Sequence, residues 1–168
     1  CFPARRTGHH HPKNLMKRTA MNTIKHRILV VDDETSFTRL LKLNLERTGR
    51  YEVRTENRST EALVAAREFQ PELILLDVMM PGLDGGTLAS YFLESPMLEG
   101  VPVVFLTATV TKEEVSSHGG LIGGLPFLAK PVGMAELEAC LENHLAASAR
   151  EQSGMAALGK SSVVDLAR

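Results

Sequence analysis

A chain of 168 residues with 43% apolar content is long enough for one globular core with flanking segments and too apolar for a disordered chain. Its net charge of -1 offers no footprint for phosphate backbones, so direct nucleic-acid binding is not expected. No run reaches the ~18 consecutive apolar residues of a membrane span, and Cys1 and Cys140 lack metal or disulfide-framework spacing, so a cytoplasmic protein is expected.

Residues 1–24 are polar and carry the one basic cluster, Arg5, Arg6, Lys13, Lys17 and Arg18. They read as a disordered leader or as coding sequence upstream of the true start. His9, His10 and His11 form a short histidine tract, for which an idle role is preferred over metal binding. Arg27 to Val31 then predicts a first strand that ends abruptly in Asp32, Asp33 and Glu34. Thr35 to Thr48 predicts a helix with Phe37, Leu40, Leu41 and Leu45 inward, closed by Gly49. Tyr51 to Thr55 alternates as a strand, and Ser59 to Phe69 predicts a helix ended by Pro71.

Leu73 to Leu76 is an unbroken apolar run bounded by Pro71 and by Pro81-Gly82, which predicts a central strand covered on both faces. Asp77 stands at its C-terminal end, where ligands bind in open parallel α/β sheets. It is a candidate nucleophile or metal ligand, against the plainer role of an Asp that caps a turn. Gly86 to Glu94 predicts a helix with Leu88, Tyr91 and Phe92 inward, and Pro102 to Leu106 a fourth buried strand running into Thr107. Residues 110–124 are poor in helix signal because Gly119, Gly120, Gly123 and Gly124 oppose one. Leu125 to Ala129 predicts a fifth strand ending in Lys130-Pro131, and Met134 to Leu145 a last helix with Met134, Leu137, Cys140, Leu141 and Leu145 on one stripe.

Strands alternating with helices predict a doubly wound α/β fold of flavodoxin type, with a five-stranded parallel sheet in the order 2-1-3-4-5 and helices on both faces. That order brings Asp32 and Asp33 beside Asp77, with Thr107 and Lys130 bordering the same crevice. Two unit charges ~4 Å apart interact by roughly 4 kcal/mol at an effective dielectric near 20, so such a cluster needs a cation. Lys130 supplies one positive charge. All-oxygen ligands favour Mg2+, with Mn2+ as the alternative, for the remainder. A carboxylate nucleophile can carry a phosphoryl group as an acyl phosphate.

On these residues the chain resembles the receiver domains of two-component response regulators, stand-alone and chemotaxis-type. The likeness runs from about Lys25 to Leu145 and rests on Val-Val-Asp-Asp-Glu (30–34), Leu-Leu-Asp-Val-Met-Met-Pro-Gly-Leu-Asp-Gly (75–85), Leu-Thr-Ala (106–108) and Phe-Leu-Ala-Lys-Pro (127–131). The resemblance implies that Asp77 accepts phosphate from a sensor histidine kinase or a histidine phosphotransfer protein. It implies that Asp32, Asp33, Asp77 and the backbone carbonyl of Met79 hold Mg2+. Thr107 and Lys130 are then the contacts of the phosphoryl oxygens, Thr107 and Phe127 the switch pair, and Lys130-Pro131 a cis bond. Each residue has a plainer role in isolation: Asp32 as a cap, Phe127 as core, Lys130 as a surface lysine and Thr107 as a turn former.

Two departures bear on output. The region before the fifth strand is rich in glycine, so a fourth helix there is expected to be short or mobile, and Phe127 lacks the hydroxyl of the tyrosine found in many relatives. An aspartyl phosphatase is disfavoured, because position 79, two after the nucleophile, is a methionine that cannot transfer protons. The expected layout is a leader over 1–24, a receiver domain over 25–146 and a tail over 147–168 open to partial helix, where Gly159-Lys160-Ser161 is too short a match for a phosphate-binding loop. The chain then serves as a phosphoacceptor with an unknown downstream protein target and no enzymatic turnover beyond self-phosphorylation and slow autodephosphorylation. The alternative is a phosphate-independent interaction module, or a fragment of a larger response regulator or hybrid kinase.

Overall fold

The computed structural model describes residues 25–108 and 121–158. The leader, the stretch 109–120 expected to hold the short fourth helix, and the Gly159-Lys160-Ser161 segment lie outside the described residues. The elements run β1 (His26–Val31), α1 (Thr35–Arg47), β2 (Tyr51–Glu56), α2 (Ala62–Phe69, entered through a 3-10 turn at Ser59–Glu61), β3 (Leu73–Asp77), α3 (Gly85–Leu93), β4 (Val103–Thr107), β5 (Leu121–Ile122), β6 (Leu125–Ala129) and α4 (Met134–Leu158).

Five strands are parallel and lie in the order β2-β1-β3-β4-β6, the doubly wound arrangement expected. The interior strands are apolar throughout because both faces are covered. Alternate residues divide between the faces. Ile28, Val30, Leu73, Leu75, Val104 and Leu106 pack with Leu41 and Leu45 of α1 and Leu137 and Leu141 of α4. Leu29, Val31, Ile74, Leu76, Val103 and Phe105 pack with Ala62 and Ala66 of α2 and Leu88 and Phe92 of α3.

Several details differ from the sequence reading. Gly123 and Gly124 both have positive φ, 57° and 85°, and form the two-residue turn of a hairpin that pairs β5 antiparallel to β6. Glycines that weaken a helix are here what the hairpin requires. In α3 the buried positions are Gly85, Leu88, Ala89 and Phe92, one stripe at i, i+3, i+4 and i+7, which leaves Tyr91 turned outward at 45% exposure. In α1 the same geometry buries Thr38 with Leu41 and Leu45 and exposes Leu40. The last helix continues past Leu145 to Leu158, and Ser148 Oγ still donates to the Gly100 carbonyl at 3.0 Å. Gly49, at φ 75°, closes α1 as expected.

The register fixes the site. Val31 pairs with Leu76, so Asp32 and Asp77, the next residues along, emerge level at the C-terminal edge of neighbouring strands. Asp77 pairs with Leu106, which puts Thr107 one step beyond, and Thr107 pairs with Ala129, just before Lys130. Gly85 seats α3 directly on the end of β3: a Cβ there would lie 2.2 Å from the Asp77 carbonyl oxygen and 2.8 Å from Val78 Cα, both backbone atoms. Gly85→Ala is therefore expected to lower stability by roughly 1–3 kcal/mol through overpacking. A urea titration checks this, and an unchanged midpoint would show that the strand end has room to yield.

Candidate functional site

Asp32 is fully buried, Asp77 is 6% exposed and Asp33 faces solvent. One carboxylate oxygen from each lies within 4.8 Å of the others, so the three sequence-predicted acids converge on one point. Asp32 serves two purposes. Its Oδ1 accepts the Glu34 N–H at 2.9 Å, a turn of the kind Asp forms with the residue two ahead, while its Oδ2 faces Lys130. The helix cap set against the chemical role of Asp32 is not what is made: α1 begins after Glu34 without a side-chain cap bond, and Asp32 holds a local turn instead.

Lys130 Nζ reaches Asp32 Oδ2 at 2.5 Å and Asp77 Oδ1 at 3.3 Å, and its side chain is 14% exposed. Two further contacts hold it there: its backbone N–H donates to the Thr107 carbonyl at 2.7 Å, and the ammonium lies 4.6 Å from the centroid of the Phe37 ring. The peptide bond to Pro131 is cis. Burial alone pulls the ammonium pKa down, but the hydrogen bond and charge of Asp32, with those of Asp77, outweigh it and hold the group above its ordinary value. Asp77 moves upward: burial raises its pKa, Lys130 opposes this, and the neighbouring Asp32 adds to it.

Among the described residues, three carboxylates against one ammonium leave two negative charges without a counterion, which is the charge of one divalent cation. The donors are all oxygen, with neither His nor Cys in the cluster, and one acid is open to solvent. That set fits Mg2+ or Mn2+, which retain waters and accept few carboxylates.

Thr107, 1% exposed, closes β4 beside Asp77, and Phe127, 6% exposed, packs in the α2 and α3 face of the core with Phe105 as its register partner. Met79 is 66% exposed, on the loop that leaves β3. Two supporting residues were not read from the sequence. Asn57 Nδ2 donates to the Asp32 carbonyl at 2.6 Å and to Thr38 Oγ1 at 3.0 Å, tying the end of β1 to β2 and α1. Ser59 Oγ grips the loop after β3. Neither carries a sequence signal, since Asn and Ser between a strand and a helix are ordinary turn residues.

A family model described as the response regulator receiver domain matches residues 28–142. The chain is similar to the probable transcriptional regulator ycf27 of Porphyra purpurea, 42% identical over 127 residues, which covers 74% of this chain and 49% of that protein. It is similar to the DNA-binding response regulator MtrA of Mycobacterium tuberculosis, 37% identical over 120 residues, covering 71% of this chain and 50% of that protein. Among solved structures it matches a putative response regulator from Chloroflexus aurantiacus, with 33% identity, a TM-score of 0.63, and coverage of 73% of this chain and 98% of that one. The chain spans about half the length of the curated relatives it matches, and the charge-based expectation of no nucleic-acid partner finds no support in relatives with such names. No helix among the described residues is long and apolar enough to cross a membrane.

Titration with Mg2+ or Mn2+ is expected to raise the melting temperature of the wild-type chain in a concentration-dependent way. Because the folded-state pKa of Asp77 is raised, stability without metal falls as pH rises through that pKa. Asp77→Asn removes this loss and should melt higher than wild type at neutral pH without metal, while losing most of the metal-induced rise. For the same reason metal affinity should begin to fall, as pH is lowered, above the ordinary aspartate value of 3.8. Thermal melts across pH and metal concentration check all three, and a variant still stabilised like wild type by Mg2+ would remove Asp77 from the ligand set.

Proposed function

The chain belongs to the response regulator receiver family, phosphoacceptor modules of two-component signalling that pair with histidine kinases, and from that premise we propose that Asp77 is its phosphoacceptor. The observation that carries this is the convergence of the Asp32, Asp33 and Asp77 oxygens within 4.8 Å, with one ammonium bridging two of them. A carboxylate oxygen of Asp77 attacks the phosphorus of a phosphohistidine, the P–N bond breaks, the imidazole takes a proton, and an acyl phosphate remains on the aspartate. Such transfer depends on positioning and on charge neutralisation more than on covalent help from the protein.

Asp32, Asp33, Asp77 and the Met79 carbonyl are the groups we assign to Mg2+. When bound, the ion neutralises charge on the transferring oxygens. Lys130 is already held in place by Asp32 and so can stay beside Asp77 as the carboxylate becomes an acyl phosphate. Thr107 stands one residue beyond Asp77's register partner, within reach of a phosphoryl oxygen by a small shift of the strand end. Its carbonyl accepts the Lys130 N–H, so a shift of Thr107 is transmitted to the end of β6. Phe127 lies on that strand and has no hydroxyl, so the switch works through packing.

The proposed donor is a sensor histidine kinase or a histidine phosphotransfer protein, the proposed readout is a protein surface on the β4 and β6 side, and the proposed location is the cytoplasm. DNA binding, named for the mycobacterial relative, is assigned to no residue of this chain. Release of phosphate by water is expected to be slow, since Met79 offers no proton. A phosphate-independent module would leave the buried acids and their lysine without a task.

Acetyl phosphate with Mg2+ should label the wild-type chain once, and Asp77→Asn should abolish labelling, as followed by intact mass. Absence of label on the wild type would overturn the assignment. Lys130→Ala should keep Mg2+ binding within about tenfold yet lose the shift that beryllofluoride produces in amide resonances of β4 and β6.

A further inference from the structure

The loop that carries Met79 is the least internally supported part of the site. Residues 78–84 have no regular secondary structure, and Met79, Pro81, Gly82 and Asp84 are exposed. At its far end Gly85 N–H donates to the Val78 carbonyl at 3.0 Å, Asp84 caps α3 through the Thr87 N–H at 3.0 Å, and the missing Cβ of Gly85 lets the helix rest on the Asp77 carbonyl. These contacts close the loop at its base and leave its crest to be held from elsewhere.

The crest is held by Ser59. Its hydroxyl donates to the Pro81 carbonyl at 2.8 Å and accepts the Leu83 N–H at 3.0 Å, spanning the turn on both sides of Gly82. Ser59 is 4% exposed although it opens a helical segment next to a surface loop. A serine at that place ordinarily caps its own helix. No side-chain cap bond is made at the start of this turn, and the hydroxyl is used across a separation of more than twenty residues. Gly82 has φ of 90°, and a Cβ there would lie 3.1 Å from Ser59 Oγ, so the turn is folded closely over the hydroxyl. Met79 and Met80 run between the pinned base and the pinned crest.

We infer that Ser59 is a positioning residue for the phosphoacceptor site: by clamping Pro81 and Leu83 it fixes the course of the loop, and with it the Met79 backbone whose carbonyl is assigned to Mg2+. This rests on the reading of Asp77 and Met79 given above. The consequence is specific to the metal. Without the clamp the loop must be ordered when the ion binds, so affinity for Mg2+ falls even where the fold survives.

The test is calorimetric titration of the full chain with Mg2+, together with acetyl phosphate labelling of Asp77 and a thermal melt of each variant. Ser59→Ala should bind Mg2+ about tenfold more weakly, the effect usual for groups that orient metal ligands. Labelling should slow correspondingly at limiting Mg2+ and recover at saturating Mg2+. Ser59→Thr, which keeps the hydroxyl, should restore affinity, and Ser59→Cys, which keeps the shape with weaker hydrogen bonds, should fall between and carry the test if the alanine variant does not fold. Leu145→Ala, at the opposite end of the sheet beside His26, controls for general destabilisation: it should lower the melting temperature with unchanged Mg2+ affinity. If a folded Ser59→Ala, or failing that Ser59→Cys, binds Mg2+ within twofold of wild type, Ser59 is a structural residue only and the inference is overturned. A wild-type chain that binds no Mg2+ and takes no label instead overturns the underlying assignment of Asp77.

Discussion

Two buried carboxylates on neighbouring strands, facing one lysine, are the interaction from which the rest of the site follows. Burying a charge without a partner costs far more than burying a paired one. Lys130 offsets part of that cost by bonding Asp32 and approaching Asp77, and the residual negative charge sets the demand for a divalent ion. Everything nearby keeps these groups in register: the parallel pairing of β1 with β3, the Thr107 carbonyl and aromatic face that hold the lysine, and Asn57 on the Asp32 carbonyl.

The supports are distributed unevenly. Asp32, Asp77, Thr107 and Lys130 stand at the ends of strands whose interiors are fully apolar, so the core that stabilises the domain also locates the chemistry. The loop after β3 has no such backing, and side chains from outside it supply what the sheet does not. A site built partly on rigid strand ends and partly on a clamped loop keeps its three acids converged whatever the loop does.

The sheet order and the acidic crevice were legible in the sequence because the interior strands are continuous apolar runs, each ended by a polar residue. Val31-Asp32, Leu76-Asp77 and Leu106-Thr107 mark the same edge three times. The helix faces were less legible. Leu40 and Tyr91 are apolar residues on the outer side of their helices, where burial does not follow from residue type alone. The Gly123-Gly124 hairpin was hidden because two glycines say only that positive φ is allowed. Ser59 and Asn57 could not be singled out, since their role depends on contacts distant in sequence.

The same hairpin shapes how the sheet ends. An open strand edge is a template for pairing with another chain. β5 occupies the outer side of β6 opposite Leu125 and Pro126, and Pro126 has no N–H to offer. Among the described residues, the row of backbone groups still open along that margin shortens to the last three residues of β6. The opposite margin, β2, alternates Glu52, Arg54 and Glu56 and so presents charge to any strand that approaches. Both borders of the sheet therefore discourage fibril-like growth, so the apolar strands between them are shielded from a sticky seam.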